Sequence, residues 1–245
     1  MYSEIYTFCK VRNIGNVFKN TSEPTPRVSF LLDLLDRKKI PYKLDKFKSN
    51  NIYCYNIILK GNSDKFVVAH HDVANPLIDN ANDNSASVIN AIALKRILPD
   101  INVAILDGEE VGGLGSKRLS KQINNGEFGK IKWVLNLELS GKGGENFFIG
   151  NYPGKLFDHI KSLFNCPHYN TPYNDSVTFR NNGIDSVVIN PLPVLNEGKS
   201  IIKYNNNYLD NSILYNCHTE KDTIDSVDPK DMRIFVEKVL VKILS

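Results

Sequence analysis

A three-layer α/β/α sandwich built around a mixed, mostly parallel central sheet is the fold this chain predicts. Two kinds of apolar pattern, and their order along the chain, carry that expectation. Short apolar runs that read as strands alternate along the chain with longer segments whose apolar residues recur at helical spacing. Strands and helices in alternation imply one sheet covered by helices on both faces. A third observation sets the scale: 245 residues suffice for one such layered domain with a substantial core. There is no internal repeat, low-complexity linker or sharp change of composition. A single domain over residues 1–245 is therefore expected, with residues 1–25 peripheral to it.

The elements follow in order. Pro24 and Pro26 precede a helical pattern from about Arg27 to Lys38, with Phe30, Leu31, Leu34 and Leu35 on one face. Residues 51–60 read as a strand and residues 61–64, Gly-Asn-Ser-Asp, as a turn. A short buried strand, Phe66 to Ala69, runs directly into His70. Ser85 to Leu98 reads as a helix, 102–106 as a strand and 115–123 as a helix. Strands are expected at Lys132–Leu139, at 147–149 and at Ser186–Asn190, and a helix near 154–164. The segment Asp228–Leu244 places Met232, Ile234, Phe235, Val239, Leu240 and Ile243 at helical spacing.

Composition narrows the function classes. Thirty Lys and Arg against 27 Asp and Glu leave a formal charge of only +3, and the basic residues are interleaved with acidic ones. No basic stripe for nucleic acid is visible. The N-terminal residues Met1 to Tyr6 lack the basic and apolar regions of a signal peptide, and no apolar run reaches membrane-spanning length. Cys9, Cys54, Cys166 and Cys217 are far apart and form no CxxC pair. Reduced thiols in a cytoplasm are the expectation, with an oxidised Cys166–Cys217 pair as the alternative.

The chemistry concentrates at the expected strand ends, where ligands gather in open α/β sheets. The apolar run Val103 to Leu106 leads into Asp107-Gly108-Glu109-Glu110. Paired carboxylates at the end of a buried strand are costly unless a positive charge sits there, and a metal ion is the usual partner. The plainer reading is a solvated acidic turn. His70 ends another strand and reads as a ligand. Asp72, two residues on, points to the same side and can accept the other ring N–H. His71 points the other way. The plainer reading of His70 is a satisfied strand-end histidine. Asn82-Asp83-Asn84-Ser85 reads either as a helix-capping cluster or as the source of a bridging carboxylate, Asp83. Glu138 interrupts an apolar strand pattern and needs a partner unless its face is solvated. His218 offers a second imidazole, or is a surface-loop histidine. Two His and three carboxylates, with one glutamate left over, suit two zinc ions that share the bridging Asp. Two metals about 3.5–4 Å apart can activate a shared water and polarise a carbonyl, while the unligated glutamate moves the proton.

The order of these pieces resembles the co-catalytic zinc aminopeptidase family, which includes bacterial leucyl-type aminopeptidases, glutamate-carboxypeptidase-like enzymes and glutaminyl cyclases. The resemblance rests on residues 69–72 (Ala-His-His-Asp), 80–87 (Asn-Ala-Asn-Asp-Asn-Ser-Ala-Ser), 107–116 (Asp-Gly-Glu-Glu-Val-Gly-Gly-Leu-Gly-Ser), 136–141 (Asn-Leu-Glu-Leu-Ser-Gly) and 218–223 (His-Thr-Glu-Lys-Asp-Thr). Asn174-Asp175-Ser176 through Phe179 to Gly183-Ile184 adds a sixth stretch. It spans roughly residues 65–225. It implies that His70 and Glu138 hold one zinc, that Glu110 and His218 hold the other, and that Asp83 bridges them. It implies Glu109 as general base, Asp72 as support for His70, and a cis peptide at Asp83–Asn84. Two departures stand out. Glu138 occupies a position where aminopeptidases of this type commonly carry Asp. Cys217 stands just before the last His, where some relatives place a Tyr that steadies the oxyanion; Tyr215 lies two residues further back.

The function the resemblance implies is that of a dinuclear zinc aminopeptidase. It would hydrolyse small peptides by metal-bound hydroxide, with Glu109 shuttling the proton. The alternatives are a non-peptide amidase on the same scaffold, a single-zinc acyltransferase like glutaminyl cyclase using Asp83, Glu110 and His218, or an inactive binding domain. Residues 191–217, with Pro191 and Pro193, lack clear periodicity and are expected to form a wall or rim of the substrate pocket.

Overall fold

A computed structural model describes residues 1–12, 22–49, 51–192, 201–204, 207–210 and 216–245. The described residues form ten strands interspersed with helices. A short helix α1 (Ile5–Phe8) and helix α2 (Pro26–Arg37) precede strands β1 (Lys43–Ser49), β2 (Ile52–Leu59) and β3 (Lys65–His70). Then come α3 (Ala86–Ile97), β4 (Asn102–Leu106), α4 (Leu114–Asn124), β5 (Trp133–Leu137), β6 (Phe147–Gly150) and α5 (Lys155–Leu163). Strand β7 (His168–Tyr169), helix α6 (Asp175–Asn181), strand β8 (Ser186–Pro191) and a separate hairpin of β9 (Ile201–Tyr204) and β10 (Asn207–Asp210) follow. The C-terminal helix runs from Pro229–Ile234 through a wide turn at Phe235–Leu240 to Val241–Leu244. Among the described residues, no helix is long and apolar enough to cross a membrane, and no disulfide forms.

Eight strands form one sheet in the order β1-β2-β4-β3-β5-β8-β6-β7. Its centre, β4-β3-β5-β8, is parallel, and antiparallel pairs flank it at β1/β2, β2/β4 and β8/β6. The period-two alternation of side chains divides these central strands between two cores. Val67, Ala69, Val103, Ile105, Leu135 and Leu137 pack with α2, α3 and the C-terminal helix. Phe66, Val68, Ala104, Leu106 and Val134 pack on the other side with Leu119 and Ile123 of α4 and Phe179 of α6. The two cores on opposite faces are the three layers. Helix α3 is buried on nearly every side because it lies under the first core, and Thr25 caps α2 by accepting from the Val28 N–H at 3.3 Å.

Three details differ from the sequence expectation. Strand β5 ends at Leu137, so Glu138 lies just beyond it rather than inside it. Its N–H still joins the ladder through Ile189 O at 3.2 Å, and Leu139 then turns into the left-handed region at φ 52°. Helix α3 starts at Ala86 after an irregular turn at Ala81–Ser85, whose side chains make no capping bond to it. Asn82, Asp83 and Asn84 are therefore not a capping cluster. Finally, β1, β7 and α6 carry no clear pattern in the sequence.

Candidate metal centre

The parallel register brings the sequence-predicted residues to one end of the sheet. His70 is the last residue of β3 and pairs across from Leu106, the last of β4. The acidic stretch 107–110 therefore emerges beside it. On the other side Val68 pairs with Asn136, which brings Glu138 level with His70. Asp83 arrives from the turn before α3, and His218 from the loop that leads to the C-terminal helix.

These side chains converge in two clusters joined by one carboxylate. His70 Nε2 lies 3.4 Å from Asp83 Oδ1 and 3.4 Å from Glu138 Oε2. His218 Nε2 lies 3.0 Å from Asp83 Oδ2 and 3.3 Å from Glu110 Oε1. One oxygen of Asp83 thus faces each imidazole. Ligand atoms of His70, Asp83 and Glu138 fall within 4.8 Å of one another, as do those of Asp83, Glu110 and His218, and those of His70, Glu109 and Glu110. His71 faces elsewhere, with Nε2 at 2.9 Å from Tyr55 O.

A frame of hydrogen bonds to the backbone holds the clusters. Asp72 Oδ1 lies 3.4 Å from His70 Nδ1. The same carboxylate accepts from the N–H of Glu109 at 3.1 Å and of Glu110 at 3.0 Å. It ties the end of β3 to the acidic turn. Asn84 donates to Glu138 Oε2 at 2.7 Å and to Leu137 O at 2.9 Å, and Asn136 donates to Glu138 Oε1 at 3.1 Å. The Asp83–Asn84 peptide is cis. The acidic turn packs against α4 at Gly115, where a Cβ would meet Asn56 Oδ1 at 2.5 Å and Asp107 O at 2.5 Å, so only glycine fits.

Sequence reasoning missed two carboxylates. Asp222 accepts from the N–H of Asn82 at 2.8 Å and of Asp83 at 3.0 Å, anchoring the turn that carries Asp83. Asp175, fully buried at the start of α6, lies close enough to raise the pKa of Glu109. Both lie inside quoted motifs, but between polar neighbours, Lys221 and Thr223 for Asp222 and Asn174 and Ser176 for Asp175, so no local signal sets them apart.

Electrostatics favours a cation here. Burial pushes Glu109 up to about 9, helped by the charges of Glu138, Asp175 and Asp72 and opposed by His70. Burial likewise raises Glu138, and lifts Asp175 to about 7. For Asp83 burial acts in the same sense, but the bonds from His218 and His70 outweigh it and hold its carboxyl well below the usual range. Burial disfavours a charged His70, yet Glu138, Asp72 and Asp83 together raise it well above its ordinary value. Bonds to Asp83 and then Glu110 lift His218 to about 10. The imidazoles thus take up protons where a metal would neutralise the same carboxylates. Imidazole and carboxylate donors in this number fit zinc or a similar divalent ion.

The clusters open into a cavity of ≈ 460 Å³. Besides the residues above, Leu139, Phe148, Tyr169, Val188, Asn190 and Cys217 line it. Phe148 and Tyr169 meet edge to face at 5.5 Å. Most of the segment 191–217, including Pro193 and Tyr215, lies outside the described residues, as does its expected role as a rim. Its last residue, Cys217, does reach the cavity.

Comparison with known proteins places this geometry. The sequence pattern of Peptidase family M28 matches residues 56–242, which takes in every cluster residue. The chain belongs to peptidase family M28. Solved structures with the same fold include the LapA aminopeptidase of Legionella pneumophila, 12% identical with a TM-score of 0.66, covering 96% of this chain and 68% of that one. The glutaminyl cyclase of Porphyromonas gingivalis is 18% identical with a TM-score of 0.66, covering 99% of this chain and 97% of that one. BSAP, a zinc aminopeptidase of Bacillus subtilis, is 19% identical with a TM-score of 0.58, covering 80% of this chain and 50% of that one. No curated protein matches the chain. At these identities the structural likeness speaks for the M28 fold and not for a substrate.

Proposed function

We propose that this M28 protein is a dinuclear zinc aminopeptidase acting on small peptides. His70 and Glu138 would hold one ion and Glu110 and His218 the other, with Asp83 serving both. The observation that carries this reading is the placement of Asp83, with Oδ1 at 3.4 Å from His70 Nε2 and Oδ2 at 3.0 Å from His218 Nε2. A carboxylate with one oxygen toward each of two ligand clusters suits a shared site better than a single-ion one. When bound, such ions lower the pKa of a shared water and polarise the scissile carbonyl.

The chain's own residues do the rest. Glu109 lines the cavity outside the two groups that share Asp83, with its carboxylate within 4.8 Å of ligand atoms of His70 and Glu110. Its carboxylate takes the proton of the attacking water and returns it to the leaving amine. Asp72 fixes the tautomer and aim of His70 through Nδ1, and sets the position of Glu109 by holding its N–H. Asn84 and Asn136 occupy both oxygens of Glu138, which keeps its longer side chain in reach of the His70 cluster. Leu139, Phe148, Tyr169 and Val188 shelter the substrate side chain.

Metal content per chain after purification without chelator tests the reading, together with hydrolysis of aminoacyl and acetyl-aminoacyl amides on the same sample. Two zinc ions and cleavage of only the free-amine substrates are expected. A second reading, a glutaminyl-cyclase-like acyltransferase, is favoured by one observation: the Porphyromonas cyclase matches this chain over nearly the full length of both. One zinc ion, with ammonia and a cyclised product from amino-terminal glutamine, would replace the first reading by the second. Cleavage of only the blocked amides would move the assignment to an amidase.

A further inference from the structure

Beside the apolar wall of the cavity stands one polar side chain with an unpaired, buried oxygen. Asn190 lies on β8, directly across from Phe148 on β6, and its side chain lines the cavity on the same face as Val188. It is 4% exposed, and its Oδ1 has no hydrogen-bond partner. A buried amide oxygen left unpaired is unfavourable, and native structures nearly always satisfy such groups. Other buried amide oxygens are unpaired too, that of Asn136 among them, but of the described residues with such an atom only Asn190 lines this cavity. Asn174, which also lines it, is satisfied: its Oδ1 accepts from the Ser176 N–H at 3.0 Å, and its Nδ2 donates to Thr171 Oγ1 at 3.1 Å and to Pro172 O at 2.9 Å.

Position gives this unpaired acceptor a meaning. Strands β5 and β8 are parallel neighbours with Asn136 opposite Val188, so Asn190 stands level with Glu138, one strand over. It is therefore beside the metal centre, on the side where Phe148, Tyr169 and Val188 form the apolar wall. A side chain that enters along this wall passes Asn190. Away from the metal clusters, none of the described lining residues carries a charge. A charged side chain would be buried there without a counter-ion, at a prohibitive desolvation cost. A purely aliphatic one would leave Oδ1 unpaired.

We propose that Asn190 is a specificity-determining residue, and that the pocket selects an uncharged amino-terminal side chain carrying an N–H or O–H donor over its apolar isostere. This rests on the aminopeptidase reading for its turnover assay, though not for its binding assay. Sites built to hydrogen-bond a substrate group reject the analogue that lacks it far more strongly than apolar pockets sort by size.

The test uses size-matched pairs: aminoacyl amides of Gln against Met, Thr against Val, and Tyr against Phe. The metal-loaded full-length protein should favour the donor member in at least two pairs by tenfold or more in kcat/KM. Asn190→Leu should erase or invert that ratio while metal content stays unchanged. Binding of free glutamine and free methionine, followed by calorimetry on the same two proteins, should show the same order and the same loss. Turnover with equal or better use of the apolar members by the wild-type protein would overturn the proposal while leaving the aminopeptidase intact. No turnover of any amide, with glutamine still bound tenfold more tightly than methionine, would sink the aminopeptidase reading and uphold Asn190. Should the variant not fold, the wild-type ratios alone decide.

Discussion

Asp222 should hold the turn that presents Asp83, and the structure sets the size of the effect. Its carboxylate receives two backbone N–H groups, from Asn82 at 2.8 Å and Asp83 at 3.0 Å. The residue is 1% exposed, so water cannot replace it freely. Removing it also removes a buried charge, because burial lifts this carboxyl to about 6. Comparing two neutral replacements cancels that contribution. Asp222→Asn keeps one acceptor oxygen for the two donors, whereas Asp222→Ala keeps none. Each buried donor left unsatisfied costs ~1–3 kcal/mol, so the Ala protein should be less stable than the Asn protein by ~1–3 kcal/mol. Urea unfolding of chelator-treated protein at pH 7 measures this difference. A loosened Asp83 should also weaken zinc binding by ~10–100-fold in the Ala protein, as loss of outer hydrogen-bond partners does in other metal sites. Equal stability of the two variants, within ~0.5 kcal/mol, with unaltered zinc affinity would refute the anchoring role, since surface-like substitutions fall in that range.

Three further outcomes are expected. Glu109→Gln should lower kcat by ~10²–10⁴-fold with metal content unchanged, as loss of a general base does; retained activity in a steady-state assay would remove Glu109 from that role. Metal-free protein should lose stability as pH rises. Glu109 at about 9, Asp175 at about 7 and Asp107 at about 6 all have folded values above their unfolded ones. So does His218 at about 10. Each contributes stability fully present below its unfolded pKa and lost as pH rises through the folded one. The urea midpoint of chelated protein should therefore fall between pH 5 and 9, and a flat or rising midpoint would contradict the burial argument. Gly115→Ala should lower the thermal midpoint, because its Cβ would overlap the backbone of Asp107 and the side chain of Asn56; a midpoint equal to wild type would show that this contact yields.

The sheet was readable where strands are buried on both faces. Val67 to Ala69 and Val103 to Leu106 are continuous apolar runs because helices cover both sides of the parallel centre. Strand β1 was not readable for the opposite reason. It is an edge strand, Lys-Leu-Asp-Lys-Phe-Lys-Ser, with lysines on its exposed positions and its most buried residue, Asp45, paired with Arg118 at 3.0 Å. Helix α6 spans only seven residues and depends on Asn174 accepting from the Ser176 N–H at 3.0 Å. Periodicity cannot register so short an element. Of the cluster residues, His70, Asp83, Glu109, Glu110, Glu138 and His218 were all legible, because each is a metal-ligating residue type at or near a strand end or in a recurrent motif.

The frame around them was less legible, and its physics explains why. Asp72 bonds the backbone of residues 109 and 110, Asp222 that of 82 and 83, and Asn84 that of 137 and 139. Arg27, wholly buried on α2, donates to His71 O at 2.8 Å and to Ser85 Oγ at 2.8 Å, joining the end of β3 to the turn that carries Asp83. In each case a polar side chain from one segment grips another that is distant along the chain. A backbone partner carries no residue identity, so these bonds leave no paired pattern in the sequence. They nonetheless fix where the cluster residues stand, because four loops converge there and loops lack the ladder that aligns strands. The apolar layers bring the strand ends together within a few ångströms. The buried Asp, Asn and Arg side chains then set the finer spacing of the candidate ligands.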